Sequence, residues 1–165
     1  MTRPTPLRRR WLAFVALPLA AAGGFALWPD TGEAQGREDE DGTERALFPV
    51  CSGPVRVTCV VDGDTIWYRG TKIRIADIDT PEVTRPGCPR ERELGRRATE
   101  RLRQLLNAGA FRLETPPGGR TQDRFGRELR IITRGGQSLG NVLVSEGLAH
   151  RWGGSKRGWC GAART

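Results

Sequence analysis

Short runs rich in β-branched residues occupy the middle of the chain and predict a meander of β-strands. The runs cover residues 55–61, 65–68 and 72–75, and the last of them alternates polar and apolar side chains as a half-buried strand does. The bends 62–64 and 69–71, each with a central glycine, separate the runs. The pattern therefore predicts three consecutive strands, which end at the Asp-Thr-Pro-Glu sequence that follows.

The next segment has the apolar period of an amphipathic α-helix. One face collects the apolar residues, arginines and glutamates fill the other face, and Asn107 with Gly109 supplies a stop signal. The apolar positions are Leu94, Ala98, Leu102, Leu105 and Leu106. Two further strands at 110–114 and 128–133 and a shorter helix at 139–146 complete the pattern. Five strands with a helix between the third and the fourth predict a mainly β fold with helices (α+β), a five-stranded OB-fold barrel.

Charge divides the chain into three parts. Residues 1–29 carry four arginines and no acid, residues 30–45 carry seven acids and two arginines, and residues 46–165 carry 21 basic against 12 acidic side chains. We interpret 30–46 as an acidic flexible linker and 47–165 as the folded domain. The basic domain suits a polyanion: nucleic acid, or acidic lipid or polysaccharide. A solubilising surface charge is the alternative interpretation.

The N-terminal part is typical of a targeting segment. Arginines at residues 8–10 precede an uncharged stretch at 11–29, which is just long enough to span a bilayer. A shorter interpretation also fits, with an apolar run at 11–19 and a small-residue cleavage site at 20–22. Both place everything after Trp28 outside the cytoplasm. The protein is then anchored in the cytoplasmic membrane with its domain outside, or secreted or periplasmic if the signal is cleaved.

The four cysteines fit an exported protein with two disulfides. Their spacing matches no zinc pattern and His150 is the only histidine, so metal binding by thiols is disfavoured, and free buried thiols are the alternative. One pair would bracket the entry into the first strand, and the other would tie the loop after the third strand to the C-terminal tail. The expected bridges are Cys51–Cys59 and Cys88–Cys160.

Three short motifs, at residues 61–65, 74–82 and 123–127, contain the side chains that phosphodiester hydrolysis needs. Carboxylates can hold a hard divalent cation, which neutralises charge and helps to activate water. A carboxylate off the metal can orient or deprotonate that water, and guanidinium groups can grip phosphate oxygens. The motifs offer Asp64, Asp79, Glu82, Arg74 and Arg127.

Each motif alone has an ordinary structural interpretation. Asp-Gly-Asp is usually a solvated turn, Asp-Thr-Pro-Glu a helix N-terminus, and Arg127 a surface charge. Their joint order, however, resembles the staphylococcal nuclease (thermonuclease) family over about residues 55–152. The resemblance implies an OB-fold barrel of staphylococcal-nuclease type that uses Ca²⁺ to cleave single-stranded DNA, RNA and frayed duplex.

The resemblance also implies roles for individual residues. Asp64 and Asp79 match the calcium carboxylates, and Thr80 matches the residue whose backbone carbonyl joins the metal. Arg74 matches the arginine that binds the scissile phosphate, and Glu82 matches the glutamate that serves as general base or orients the water.

The remaining positions include departures from the family pattern. Arg127 matches the second phosphate arginine, and Asp62 matches an acid just outside the metal ligands. Asp77 replaces an apolar residue and is either an additional acid at the metal or a structural residue. Phe125 and Trp152 stand near the positions of base-flanking tyrosines, and each either stacks on a base or belongs to the core.

Three functional hypotheses remain at this level. The first is an exported calcium-dependent nuclease that acts on DNA or RNA, as a monomer by default, attached to the membrane if residues 11–29 are uncleaved. The second is a non-catalytic OB-fold module that binds nucleic acid or another polyanion. The third is a surface-anchored adhesin. The complete set of carboxylates and arginines favours the nuclease.

Overall fold

The computed structural model describes residues 37–38, 42–154 and 158–161. The strands are β1 (Arg37–Glu38), β2 (Glu44–Arg45), β3 (Cys59–Asp62), β4 (Thr65–Tyr68), β5 (Thr71–Ile75), β6 (Ile78–Asp79), β7 (Arg112–Glu114), β8 (Glu128–Arg134), β9 (Gln137–Ser138) and β10 (His150–Arg151). The helices are α1 (Pro89–Asn107) and α2 (Leu139–Ser145).

The five longer strands form one sheet in the order β3-β4-β5-β8-β7. The first three strands are antiparallel, and β8 then pairs in parallel with β5, with Ile73 opposite Glu128. A parallel pair needs a long crossover, which here runs through α1 and β7. Helix α1 lies between the third and fourth of these strands, so the predicted mainly β fold with the OB-fold strand order is confirmed.

The core lies between the sheet and the buried face of α1. Ala98 and Leu102 of α1 are fully buried, and so is Ile66 of β4. The helix begins earlier than its first apolar position, because Pro89 is favoured at a first helical residue and the Cys88 side chain caps the Glu91 amide. The apolar period thus identifies the helix, while the local cap sets its start.

The N-terminal boundary differs from the predicted one, because residues 42–46 belong to the folded body rather than to a linker. Glu44 is 9% exposed and exchanges backbone hydrogen bonds with Phe111, 2.6 and 2.9 Å long. Further along, Val50 bridges Val60 of β3. Residues 44–50 therefore connect the start of β7 to β3. These two strands are the outer strands of the sheet. The Glu44 carboxylate accepts a hydrogen bond from the Tyr68 hydroxyl, a contact that charge composition does not encode.

Strand β3, which corresponds to the first predicted strand, begins later than predicted, at Cys59 instead of residue 55. Val55 and Val57 are 78% and 55% exposed, and the Val57 carbonyl accepts a hydrogen bond from Gly70 in the β4–β5 turn. The Cys51–Cys59 disulfide explains the difference, because it holds its two Cα atoms 4.9 Å apart and closes the intervening residues into a loop.

The second disulfide joins Cys88 to Cys160 across 72 residues, so both of the expected pairings are present. It ties the start of α1 to the C-terminal segment, where Trp159 stacks on His150 with ring centroids 3.9 Å apart. No helix among the described residues is both long and apolar enough to cross a membrane. The apolar stretch at 11–29 lies outside those residues.

Candidate active site

Strand register brings the first two motifs together. Asp62 ends β3, Asp64 lies in the β3–β4 turn, and Thr65 at the start of β4 lies opposite Arg74 of β5. An irregularity in the β3–β4 register precedes Asp62, and the Asp64 amide donates to the Asp62 carboxylate at 3.2 Å. The turn therefore presents the Asp64 side chain beside the β5 arginine.

Arg74 lies between two carboxylates. Its Nη1 is 2.9 Å from Oδ2 of Asp64, and its Nη2 is 3.3 Å from Oδ1 of Asp79. Nη1 also donates to the backbone carbonyls of Asp64 and Ile75 at 3.3 and 3.0 Å. The arginine is 8% exposed, so a fixed guanidinium holds the two aspartates on either side of itself.

Asp64 is a buried acid whose two carboxylate oxygens both accept hydrogen bonds. Its Oδ2 accepts from both the amide and the hydroxyl of Thr80 at 2.9 Å, and its Oδ1 accepts from the Thr65 hydroxyl at 3.1 Å. Burial nevertheless raises the pKa of Asp64 from 3.8 to about 6, against the lowering effect of Arg74. In the absence of a further cation, the negative charge at Asp64 is therefore costly.

Helix α1 packs directly on the two carboxylate-bearing segments. A Cβ at Gly63 would lie 2.7 Å from Ala98 Cβ, and a Cβ at Gly95 would lie 2.7 Å from the Pro81 carbonyl. Neither glycine has a φ in the left-handed region, so close approach rather than backbone conformation requires them. The packing fixes the distance between the helix and both turns.

Glu82 follows β6 at the edge of this cluster. The residue as a whole is exposed, but its carboxyl is partly screened from solvent, and burial is the first cause of its raised pKa. Neighbouring carboxylates raise it further and Arg74 opposes them; those acids are Asp64, Glu91 and Asp79. A carboxylate at the rim of the cluster whose affinity for a proton is raised is suited to accept a proton from water.

Arg127 and Arg74 line the same cleft, which has a volume of about 710 Å³. Arg127 lies in the turn before β8, where its Nε is 2.7 Å from Oδ2 of Asp123. The other oxygen of Asp123 accepts from the amides of Phe125 and Arg127 at 2.8 and 3.0 Å. Asp123 therefore orders the loop and orients its arginine. Asp123 was predicted only as part of a motif, although an Asp at the start of a tight turn is a recognisable signal.

Neither candidate stacking residue belongs to the core. Trp152 is 59% exposed, lines the cleft, and has its ring centroid 5.5 Å from the Arg74 guanidinium carbon. Phe125 is 69% exposed and packs against the guanidinium groups of Arg124 and Arg127. The aromatic beside the central arginine is therefore Trp152.

The contacts of Asp77 are structural. Its carboxylate accepts a hydrogen bond from the hydroxyl of Ser138, whose oxygen also caps α2 through the Asn141 amide. Its backbone carbonyl accepts from the Trp152 amide at 2.8 Å. Through these contacts, Asp77 joins α2 and the Trp152 segment to the sheet. Ser138 was missed, although a serine before an apolar helix is a typical N-cap.

The donor chemistry of the cluster fits a hard cation. The ligands available at Asp64, Asp79 and Thr80 are all oxygens, and hard ions such as calcium prefer oxygen ligands. Arg74 supplies the positive charge between the two aspartates, and burial disfavours the ionised form of Asp64.

Comparison with known proteins links the chain to nucleases. The family model for "Staphylococcal nuclease homologue" matches residues 72–157. Endonuclease YncB of Bacillus subtilis (strain 168) is 38% identical over 94 residues, which cover 54% of this chain and 43% of that protein. The SPbeta prophage-derived endonuclease YokF of the same strain is 39% identical over 94 residues, covering 54% and 31%.

Thermonuclease of Staphylococcus hyicus is 32% identical over 98 residues, covering 57% of this chain and 56% of that protein. The matched part thus spans between about a third and somewhat more than half of these relatives. The family match begins at Lys72, after the β3–β4 turn, so the placement of Asp64 beside Arg74 is a separate observation of the structure.

Proposed function

The chain belongs to the staphylococcal nuclease family, and from that premise we propose that it is an exported, calcium-dependent nuclease that hydrolyses phosphodiester bonds in DNA or RNA. The observation that carries the proposal is the position of Arg74. It contacts the carboxylates of Asp64 and Asp79 and also lines the cleft that contains Arg127. The guanidinium group of Arg74 thus binds the two aspartates, and its side towards the cleft offers a binding position for a phosphate.

The residues of the site have separate roles in the proposed reaction. Asp64, Asp79 and the Thr80 carbonyl would hold the calcium ion, which when bound supplies a concentrated positive charge for the phosphate oxygens. Arg74 grips the scissile phosphate. Glu82 accepts a proton from the attacking water, as the raised pKa of its carboxyl favours.

Arg127 would act mainly on the charge that develops in the transition state. It lines the same cleft as Arg74 but is held there by Asp123, whereas Arg74 is held by Asp64 and Asp79. A donor held in place before the reaction loses little energy in reorienting, which is why such groups contribute strongly to rate.

Metal dependence is the first test. Cleavage of a short single-stranded DNA should require calcium and should stop in excess chelator, because the proposed ligands are oxygens alone. The same assay separates the nuclease from the alternative, an OB-fold module that binds nucleic acid without cutting it. Full activity in excess chelator would contradict the calcium proposal, and calcium-independent binding without cleavage would favour the alternative.

Steady-state kinetics of variants test the separate roles. Glu82→Gln and Arg127→Ala should each lower kcat by ~10²–10³ with KM nearly unchanged. Arg74→Ala should raise KM and lower kcat together, because a phosphate grip acts in both the ground and the transition state. Arg96→Ala, an exposed arginine of α1, is the matched control. Near wild-type turnover of Glu82→Gln would refute the assigned base.

The proposed location outside the cytoplasm depends on residues 8–29. A reporter enzyme that is active only outside the cytoplasm, fused after Thr165, should be active, because the arginines at 8–10 precede the apolar stretch. A reporter that works only in the cytoplasm should be inactive at the same position, and activity there would refute the assignment. The size of the mature protein would separate a cleaved signal from a retained anchor.

A further inference from the structure

Glu91, in the first turn of α1, contacts both ends of the loop that begins with Glu82. Its Oε2 accepts a hydrogen bond from the Gly87 amide at 2.6 Å, and its Oε1 accepts one from the Glu82 amide at 3.4 Å. A single carboxylate therefore bridges two backbone amides five residues apart. The loop between them has no helix or strand of its own that would otherwise hold it.

The same helix face continues this contact one turn later. Gly95 is four residues after Glu91, and the position of its missing Cβ is 2.7 Å from the Pro81 carbonyl and 3.2 Å from the Glu82 carbonyl. The helix backbone therefore lies directly against the segment that carries Glu82, and Glu91 holds that segment from its amide side.

The position of Glu91 is itself constrained. Its amide donates to the Cys88 sulfur at 3.4 Å, and Cys88 is joined to Cys160 of the C-terminal segment. Glu91 thus binds the Glu82 loop from a helix end that a disulfide attaches to the C-terminal segment.

We propose that Glu91 is a positioning residue for the reaction: by binding the amides of Glu82 and Gly87 it fixes the direction in which the Glu82 carboxylate points. The inference rests on the proposed nuclease function and deepens it. Glu91 acts through Glu82 and not on the metal, because its carboxylate binds the amides of the loop rather than Asp64 or Asp79. A misplacement of about 1 Å in a reacting group can cost ~10² in rate, so loss of this grip should act on turnover.

The test compares Glu91→Ala with Glu93→Ala, which removes the same charge from an exposed position two residues along the helix. Both are assayed on a short single-stranded DNA across a calcium titration. We expect kcat of Glu91→Ala to fall ~10–100-fold, with KM and the calcium concentration for half-activity within about threefold of wild type. Glu93→Ala should match wild type in all three quantities.

A double-mutant cycle distinguishes positioning from general damage to the site. In a Glu82→Gln background the group that Glu91 positions is already lost, so adding Glu91→Ala should lower kcat by less than threefold. Glu91→Gln keeps one acceptor oxygen, so it should lie between wild type and Glu91→Ala and serves as the test variant if the alanine variant does not fold. Amide hydrogen exchange at Glu82 and Gly87 should speed up in both Glu91 variants.

The outcomes separate the two proposals. If wild type does not cleave in calcium, the nuclease proposal fails. If wild type cleaves but the Glu91 variants match Glu93→Ala, the positioning inference is overturned and the nuclease proposal stands. An undiminished kcat loss in the Glu82→Gln background, or a calcium requirement that rises in parallel with the kcat loss, would also overturn the inference.

Discussion

Replacement of Asp64 by asparagine should stabilise the metal-free protein while it impairs calcium use. A pKa raised from 3.8 to about 6 means that the ionised form of Asp64 costs the folded state about 3 kcal/mol relative to the unfolded state. Asparagine has nearly the same shape and can keep an acceptor oxygen towards Thr80. Arg74 would retain Asp79 and the Ile75 carbonyl as partners.

The pH dependence follows from the direction of the shift. Because the folded state holds its proton more tightly, it binds more protons than the unfolded state between about pH 4 and pH 6. The free energy of unfolding of the wild type should therefore fall, relative to Asp64→Asn, as pH rises through that window. The destabilisation by ionised Asp64 is complete above about pH 6 and absent below about pH 4.

Urea denaturation in excess chelator at pH 4 to 8 measures this difference. At pH 7 we expect Asp64→Asn to be about 2–3 kcal/mol more stable than wild type, with the two proteins equal near pH 4. Glu93→Gln, which removes an exposed charge from α1, should show no such pH-dependent gain. A variant less stable than wild type at pH 7 would mean that the Arg74 ion pair outweighs burial.

Calcium should reverse the order of the two proteins. A bound cation stabilises the ionised carboxylate, so calcium should raise the unfolding free energy of the wild type more than that of the variant. The calcium concentration for half-maximal cleavage should also rise in Asp64→Asn, since a charged ligand is lost. An unchanged calcium dependence would remove Asp64 from the proposed metal ligands.

The remaining predictions concern packing, cross-linking and substrate contact. Gly63→Ala should destabilise the fold by about 1–3 kcal/mol in thermal or urea unfolding, because its new Cβ would lie 2.7 Å from a helix side chain; unchanged stability would contradict the packing. Replacing both Cys88 and Cys160 by alanine should cost about 4 kcal/mol on the loop-entropy account, against about 2.5 kcal/mol for the shorter bridge, and the reverse order would refute that account here. Trp152→Ala should raise KM for single-stranded DNA with about a tenfold effect, the value of one base stack, while Trp67→Ala in β4 serves as a destabilising control away from the cleft; an unchanged KM would exclude stacking.

Local patterns in the sequence were enough to predict most of the helices and strands. The apolar period identifies α1, and glycine-centred bends separate β3, β4 and β5, because these signals lie within a few residues of the structures they specify. The types and order of residues such as Asp64, Arg74 and Glu82, together with their resemblance to a nuclease family, predict phosphodiester chemistry, because a hard cation and a phosphate require oxygen ligands and guanidinium groups.

Contacts between residues distant in sequence were decided only by the tertiary structure. Glu44 becomes part of the folded domain by binding Tyr68 and Phe111. The residues around it are nevertheless acidic, and the composition of that segment is typical of a linker. The Asp77 carboxylate accepts a hydrogen bond from Ser138, 61 residues away, and neither residue carries a local signal for the other. Periodicity and charge describe a segment by itself and contain no information on which partner will bury it.

The same limit explains what the sequence left open at the site. Whether Asp64 is exposed in a turn or buried against Arg74 depends on strand register and on the approach of α1 to Gly63. That burial changes the proton affinity of the acid and with it the stability of the metal-free protein. The sequence alone determined which side chains are available for the chemistry, while the packing of the helix on the sheet decided their distances, their charge states and the role of Glu91.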